Sequence, residues 1–110
     1  MSNSDVVRSL MTAFQKQDRE AAERLVADDF HFTSPQDDHI DRAAWFETCF
    51  PTAGHFVDHT LMQVVEVDDT TVLTRYEYEV DDGTRYRNVE ASTVVDGRVA
   101  EVEVYFGGAV

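Results

Sequence analysis

The chain has 110 residues, 43% of them hydrophobic, which suits a single domain over 1–110 and argues against intrinsic disorder. Its formal net charge of −13, from 22 acidic and 9 basic residues, argues against nucleic acid or an anionic membrane surface as partner, since both need clustered cations. No apolar run approaches the roughly 20 residues of a membrane span. The start "MSNSDVVRSL" lacks a signal-peptide pattern. Cys49 has no second cysteine to pair with, so a cytoplasmic protein is the expectation.

Ser4 can cap a first helix, on which Val7, Leu10, Met11 and Phe14 recur at spacings of three and four. Asp18 can cap a second, "DREAAERLV". "FHFTS" alternates and is aromatic, so it predicts a strand that Pro35 ends. Asp37 and Asp38 follow that proline in a predicted turn, with His39 exposed beside them. Asp41 then caps a third helix, "RAAWFETCF", expected to stop at Pro51. After Gly54 the period becomes two. Strands are predicted over 56–67, 71–80, 84–95 and 98–106, with turns at "DDG" and "DG". The fold class is therefore α+β: three N-terminal helices enclosed by a curved antiparallel sheet of four to six strands. Such a cone forms pockets readily at its mouth.

Alternation chooses the inward faces. Over 72–80 the even set is Val72, Thr74, Tyr76, Tyr78 and Val80, while Arg75, Glu77 and Glu79 face water. In the last strand Ala100, Val102, Val104 and Phe106 make the better core face. The strand over 84–95 is ambiguous. Its even set holds Tyr86, Asn88, Glu90, Ser92 and Val94; its odd set adds Val89, Ala91 and Val95 to two arginines.

Four stretches carry a family resemblance: "ADDFHFTSP" at 27–35, "DDHIDRAAWFETCFP" at 37–51, "RNVE" at 87–90 and "DGRVAEVEVYFGG" at 96–108. Together they resemble the SnoaL-like branch of the nuclear-transport-factor-2-like superfamily. The resemblance implies a small cone-shaped domain, often a homodimer. That superfamily includes ketosteroid isomerases, polyketide cyclases, epoxide hydrolases, dehydratases and non-catalytic carriers. The ketosteroid isomerase pattern fails here at its chemistry. Its general-base aspartate falls on Ser34, and its oxyanion tyrosine falls near Leu10. Neither residue can do that work. The family's second acid, on the penultimate strand, falls near Glu90. By that comparison Asn88 and Glu90 point inward. An epoxide-hydrolase set would need Arg75 and Glu77 inside, where alternation does not put them.

Glu90 and Asn88 are thus the candidate catalytic residues. Tyr76, Tyr78, Trp45, Phe14, Phe32, Ser34, Asp38 and Phe106 are the candidate ligand-binding residues. Aromatic side chains at these spacings also serve as ordinary core. Asp37, Asp38 and Asp41 have sufficient work in a turn and a helix cap, and Asp38 or His39 at the pocket mouth is the alternative. His55, Asp58 and His59 lie on a predicted strand, where two histidines four apart do not converge on a metal. Cys49 lacks a basic neighbour to activate it. No metal or cofactor is expected. The expected partner is a small apolar or polycyclic molecule. The expected activity is a cofactor-independent isomerase, cyclase or dehydratase step by proton transfer. A non-catalytic carrier and an interaction module acting through the outer sheet face are the alternatives.

Overall fold

The computed structural model describes all 110 residues. Helix α1 spans Asn3–Lys16 and α2 spans Arg19–Leu25. Strands β1 (Val26–Ser34) and β2 (Asp37–Asp41) follow. A third helical segment starts as α3 (Arg42–Ala44), widens to a π turn over Trp45–Cys49 and tightens to a 3-10 turn over Phe50–His55. The rest is sheet: β3 (Phe56–Glu66), β4 (Thr71–Val80), β5 (Arg85–Val95) and β6 (Arg98–Ala109).

The caps follow from side-chain chemistry. Ser2, not Ser4, caps α1. Its hydroxyl accepts from the Asp5 amide, and the Asp5 carboxylate accepts from the Ser2 amide. This reciprocal pair satisfies two donors that a serine two residues later cannot reach. Asp18 caps α2 by accepting from Ala21, and Asp41 caps α3 by accepting from Ala44, both as expected. Pro51 does not end the third helical segment. It sits in the first turn of the 3-10 stretch, where no amide hydrogen is needed. The turn expected at Asp37 and Asp38 is confined to residues 35–36, and Asp37–Asp41 pairs with β1 as a short strand.

The six strands run in the order β2-β1-β6-β5-β4-β3. Neighbours are antiparallel except β1 and β6, which are parallel. The sheet therefore ends on β2 and β3. Helix α1 lies in its concavity and buries Val6, Val7, Leu10, Met11 and Ala13. The core also takes Phe30, Phe46, Phe50, Val72 and Val94. Burying each large apolar side chain of this kind stabilises the fold by about 1.5–3 kcal/mol.

Register decides which side chains face the helices. Directly opposed residues share a face, and Thr74 opposes Glu90, Tyr76 opposes Asn88 and Val72 opposes Ser92. On the other side Glu90 opposes Val104 and Ser92 opposes Val102. The even set of β5 therefore points inward. Asn88, Ser92 and Val94 are buried, and Arg87 is exposed. One expectation shifts. Val99 is fully buried, while Ala100 is only partly so, because a bulge inserts one extra residue into β6 beside the hairpin.

Candidate functional site: an apolar cavity with an internal carboxyl

A cavity of about 390 Å³ lies between the helices and the concave face of the sheet. Fifteen of its 23 lining residues are hydrophobic, so its interior is mainly apolar. Helix α1 contributes Val7, Leu10, Met11 and Phe14. The π turn brings Trp45 and Cys49 to the same side. Strands β4, β5 and β6 supply Tyr76, Tyr78, Asn88, Glu90, Ser92, Val102 and Val104. Burial grades along the cavity. Val7, Leu10 and Ser92 at one end are buried, whereas Gln36, Thr52, His55 and Phe106 at the other are exposed and mark the mouth.

Glu90 sits where β5 crosses this wall, between Thr74 and Val104, and its accessible part faces the cavity. The Tyr76 hydroxyl donates to Glu90 Oε1 at 2.9 Å. Asn88 Nδ2 in turn donates to the Tyr76 hydroxyl oxygen at 3.2 Å. No guanidinium or ammonium pairs with Glu90. Burial in apolar surroundings therefore pushes its carboxyl up from 4.5 to about 7, against the smaller pull of the Tyr76 hydrogen bond. Burial, and after it the Glu90 charge, raise the Tyr76 phenol far above its ordinary value, so it stays a donor. Burial raises Tyr78 as well.

The cavity wall toward β3 is a run of stacked rings. Phe56 and Tyr78 stack at 4.5 Å between centroids, Tyr78 and Tyr86 at 5.5 Å, and His59 lies 5.1 Å from Tyr76. The Gln15 amide contacts His59 Nδ1, while Nε2 is buried without a partner. Burial lowers this imidazole from 6.5 to about 4, against a smaller opposing effect of Asp58. Trp45 anchors the opposite wall, 5.3 Å from Phe30, 6.3 Å from Phe14 and 6.4 Å from Phe32.

Of the residues predicted for the site, Glu90, Asn88, Tyr76, Tyr78, Trp45, Phe14, Phe32, Ser34 and Phe106 all line this one cavity. Asp38 does not. Its side chain is exposed and pairs with His39 at 2.5 Å. The neighbouring Asp37 lines the cavity in its place, because a strand sends consecutive side chains to opposite faces. Asp37, Gln36, Thr52, His55, Phe56, Tyr86 and Ser92 were not among the predicted residues. A strand assignment for 37–41 is the signal that could have found Asp37. Arg75 is exposed on the outer sheet face, and Glu77 is held there by Arg85. Glu101, Glu103 and Tyr105 share that face. His55 pairs with Asp81 at 3.6 Å and does not converge with His59. Burial raises the Cys49 thiol, which keeps it protonated. No helix is long and apolar enough to cross a membrane.

A conical α+β domain with helices inside a curled sheet is the architecture of nuclear-transport-factor-2-like proteins. One of these, from Cytophaga hutchinsonii, superposes with a TM-score of 0.77 at 16% identity, covering 96% of this chain and 90% of that one. Residues 7–102 match the SnoaL-like domain model, and the chain belongs to that family. A protein from Kribbella flavida aligns at 26% identity with a TM-score of 0.82, over 93% of this chain and 84% of its own. IdmH of Streptomyces antibioticus, proposed to be a polyketide cyclase, aligns at 25% identity with a TM-score of 0.79, over 97% and 93%. No curated protein matches the sequence.

Proposed function

We propose that the protein binds a small, mainly apolar carbonyl compound in its cavity and moves a proton on it, with Glu90 as the acid–base group. The observation that carries this reading is the Glu90 carboxyl inside an apolar hollow, pushed up by burial to about 7, with the Tyr76 phenol donating to it and the Asn88 amide donating to that phenol. A group of this kind exchanges protons most effectively when its pKa lies near the working pH.

The chemistry follows from the contacts. Ionised Glu90 takes a proton from the carbon beside the carbonyl, and the Tyr76 hydrogen bond stabilises that ionised form. Asn88 keeps the phenol aimed at the carboxylate. Its remaining N–H, together with the Tyr78 and Ser92 hydroxyls, can receive the growing charge on the carbonyl oxygen. Protonated Glu90 then returns the proton to another atom. Return to a different carbon is isomerisation. Return to a departing hydroxyl is dehydration, and attack of the enolate on a second carbonyl closes a ring. The likeness to IdmH supports the cyclase member of this set.

The test uses cyclic enones and aryl ketones in deuterated buffer, with NMR reading the loss of protons next to the carbonyl. The wild-type chain is expected to catalyse exchange with an inflection near pH 7. Glu90→Gln is expected to lower the rate roughly a hundredfold or more. Equal exchange by the two proteins would remove the catalytic role. A ligand carrier, which the same cavity also supports, would then be left.

A further inference from the structure

The lining of the cavity contains two carboxyl groups, Asp37 and Glu90, and no lysine or arginine. All nine cations lie elsewhere. Arg85 is shared by Asp58, Glu77 and Glu79. Arg19 and Arg24 pair along α2, and Arg42 lies over the Phe46 ring and donates to the Glu23 carbonyl. Arg8, Lys16, Arg75, Arg87 and Arg98 are exposed. A ligand anion entering this hollow would lose its water and meet no guanidinium or ammonium, and the one imidazole of the lining, His55 at the mouth, already faces Asp81. Desolvation of an unpaired ion is unfavourable. The field of the whole chain, at −13, works in the same direction.

Asp37 is the carboxylate near the open end. It is half-buried, next to exposed Gln36. Its side-chain partners are the Ser34 hydroxyl at 3.4 Å and the Cys49 thiol at 3.9 Å. Both are weak donors at those distances, and no cation lies within 4.0 Å of it. A partly desolvated carboxylate with only these partners is a receptor for a positive group. The rings of Tyr86 and Phe106 line the same mouth and can face a cation as well.

We infer that the cavity selects apolar ligands that carry no negative charge, and that the Asp37 carboxylate at its mouth holds a ligand's ammonium group. The inference rests on the binding reading above and is independent of the proton-transfer step. It assigns the ligand an orientation. The uncharged carbonyl end enters toward Glu90 and Ser92, and an amine-bearing end stays at the mouth.

The test is a matched series of acetylnaphthalenes whose far ring carries a short arm ending in methyl, ammonium or carboxylate. Titration calorimetry at one pH and low salt measures each against wild type and Asp37→Asn, with circular dichroism confirming that the variant is folded. The ammonium arm is expected to bind roughly three- to tenfold tighter than the methyl arm, and the carboxylate arm at least about tenfold weaker. In Asp37→Asn the ratio of ammonium-arm to methyl-arm affinity should fall to about one. A carboxylate arm that binds as well as methyl, or an ammonium advantage that survives in Asp37→Asn, overturns the inference and leaves the binding reading intact. Failure of the methyl-armed ketone itself would bring down the binding reading, and the inference with it.

Discussion

A carboxyl group enclosed by apolar side chains is harder to ionise than one in water, and a single good donor recovers part of the loss. Glu90 shows both effects: burial raises it to about 7, and the Tyr76 hydroxyl opposes the rise. Tyr76→Phe should therefore move the Glu90 midpoint further up, with little loss of packing because the ring remains. Carbon NMR of the labelled side-chain carboxyl checks this, and a midpoint that falls would contradict it. The place of Glu90 was only half legible in the sequence. Alternation left β5 undecided, since Val89, Ala91 and Val95 compete with Val94 and Ser92 for the core. The family resemblance chose the face, and pairing with Val72, Thr74 and Tyr76 on β4 explains why that face wins. Ser92 carries no charge or aromatic ring to draw notice, so its position in the cavity emerges only from register.

At the scale of elements, strands with strong alternation and helices with polar caps were readable. The misses have local causes. The stretch Asp37–Asp41 is polar and follows a proline, which favours a turn, yet its backbone completes the sheet edge beside β1. Tertiary pairing there overrides local preference. The π turn over Trp45–Cys49 could not be foreseen from a helical period of 3.6. It sends Trp45 and Cys49 to the cavity while Phe46 packs in the core under Arg19 and Arg42. The last strand runs to Ala109, past the expected end at 106, because the pairing shifts register between Tyr86 and Asn88 and then continues. Gly107 makes that possible. A Cβ there would stand 2.6 Å from the Arg87 carbonyl oxygen and 2.7 Å from its Cγ. Gly107→Ala should destabilise the fold by roughly 1–3 kcal/mol, read as a lower urea midpoint. An unchanged midpoint would mean that the two strands can part at this bulge without cost.

For the molecule as a whole, two internal groups pull stability in opposite directions with pH. Glu90 is raised in the fold, so its contribution is fully present below about pH 4.5 and is lost as pH rises through 7. A shift of that size corresponds to roughly 3 kcal/mol. His59 is lowered, so its contribution is present above about pH 6.5 and is lost as pH falls through 4. The two slopes oppose and nearly cancel between about pH 4.5 and 6.5, so the wild-type curve should be nearly flat there and lower by only about 1 kcal/mol on either side. Urea unfolding as a function of pH measures the curve. Glu90→Gln should remove the opposing slope, so that stability rises from about pH 4 to 6.5 on the limb that belongs to His59. A variant whose curve keeps the wild-type shape would show that Glu90 contributes no slope.

The cone encloses an apolar cavity with the Glu90 carboxyl inside it, and the proposed function rests on that pair. Titration of the Glu90 carboxyl in the ligand-free wild-type protein, followed by carbon NMR, tests that claim most directly. A single midpoint near 7 is expected. A midpoint near 4.5, the value of a glutamate in open water, would contradict it.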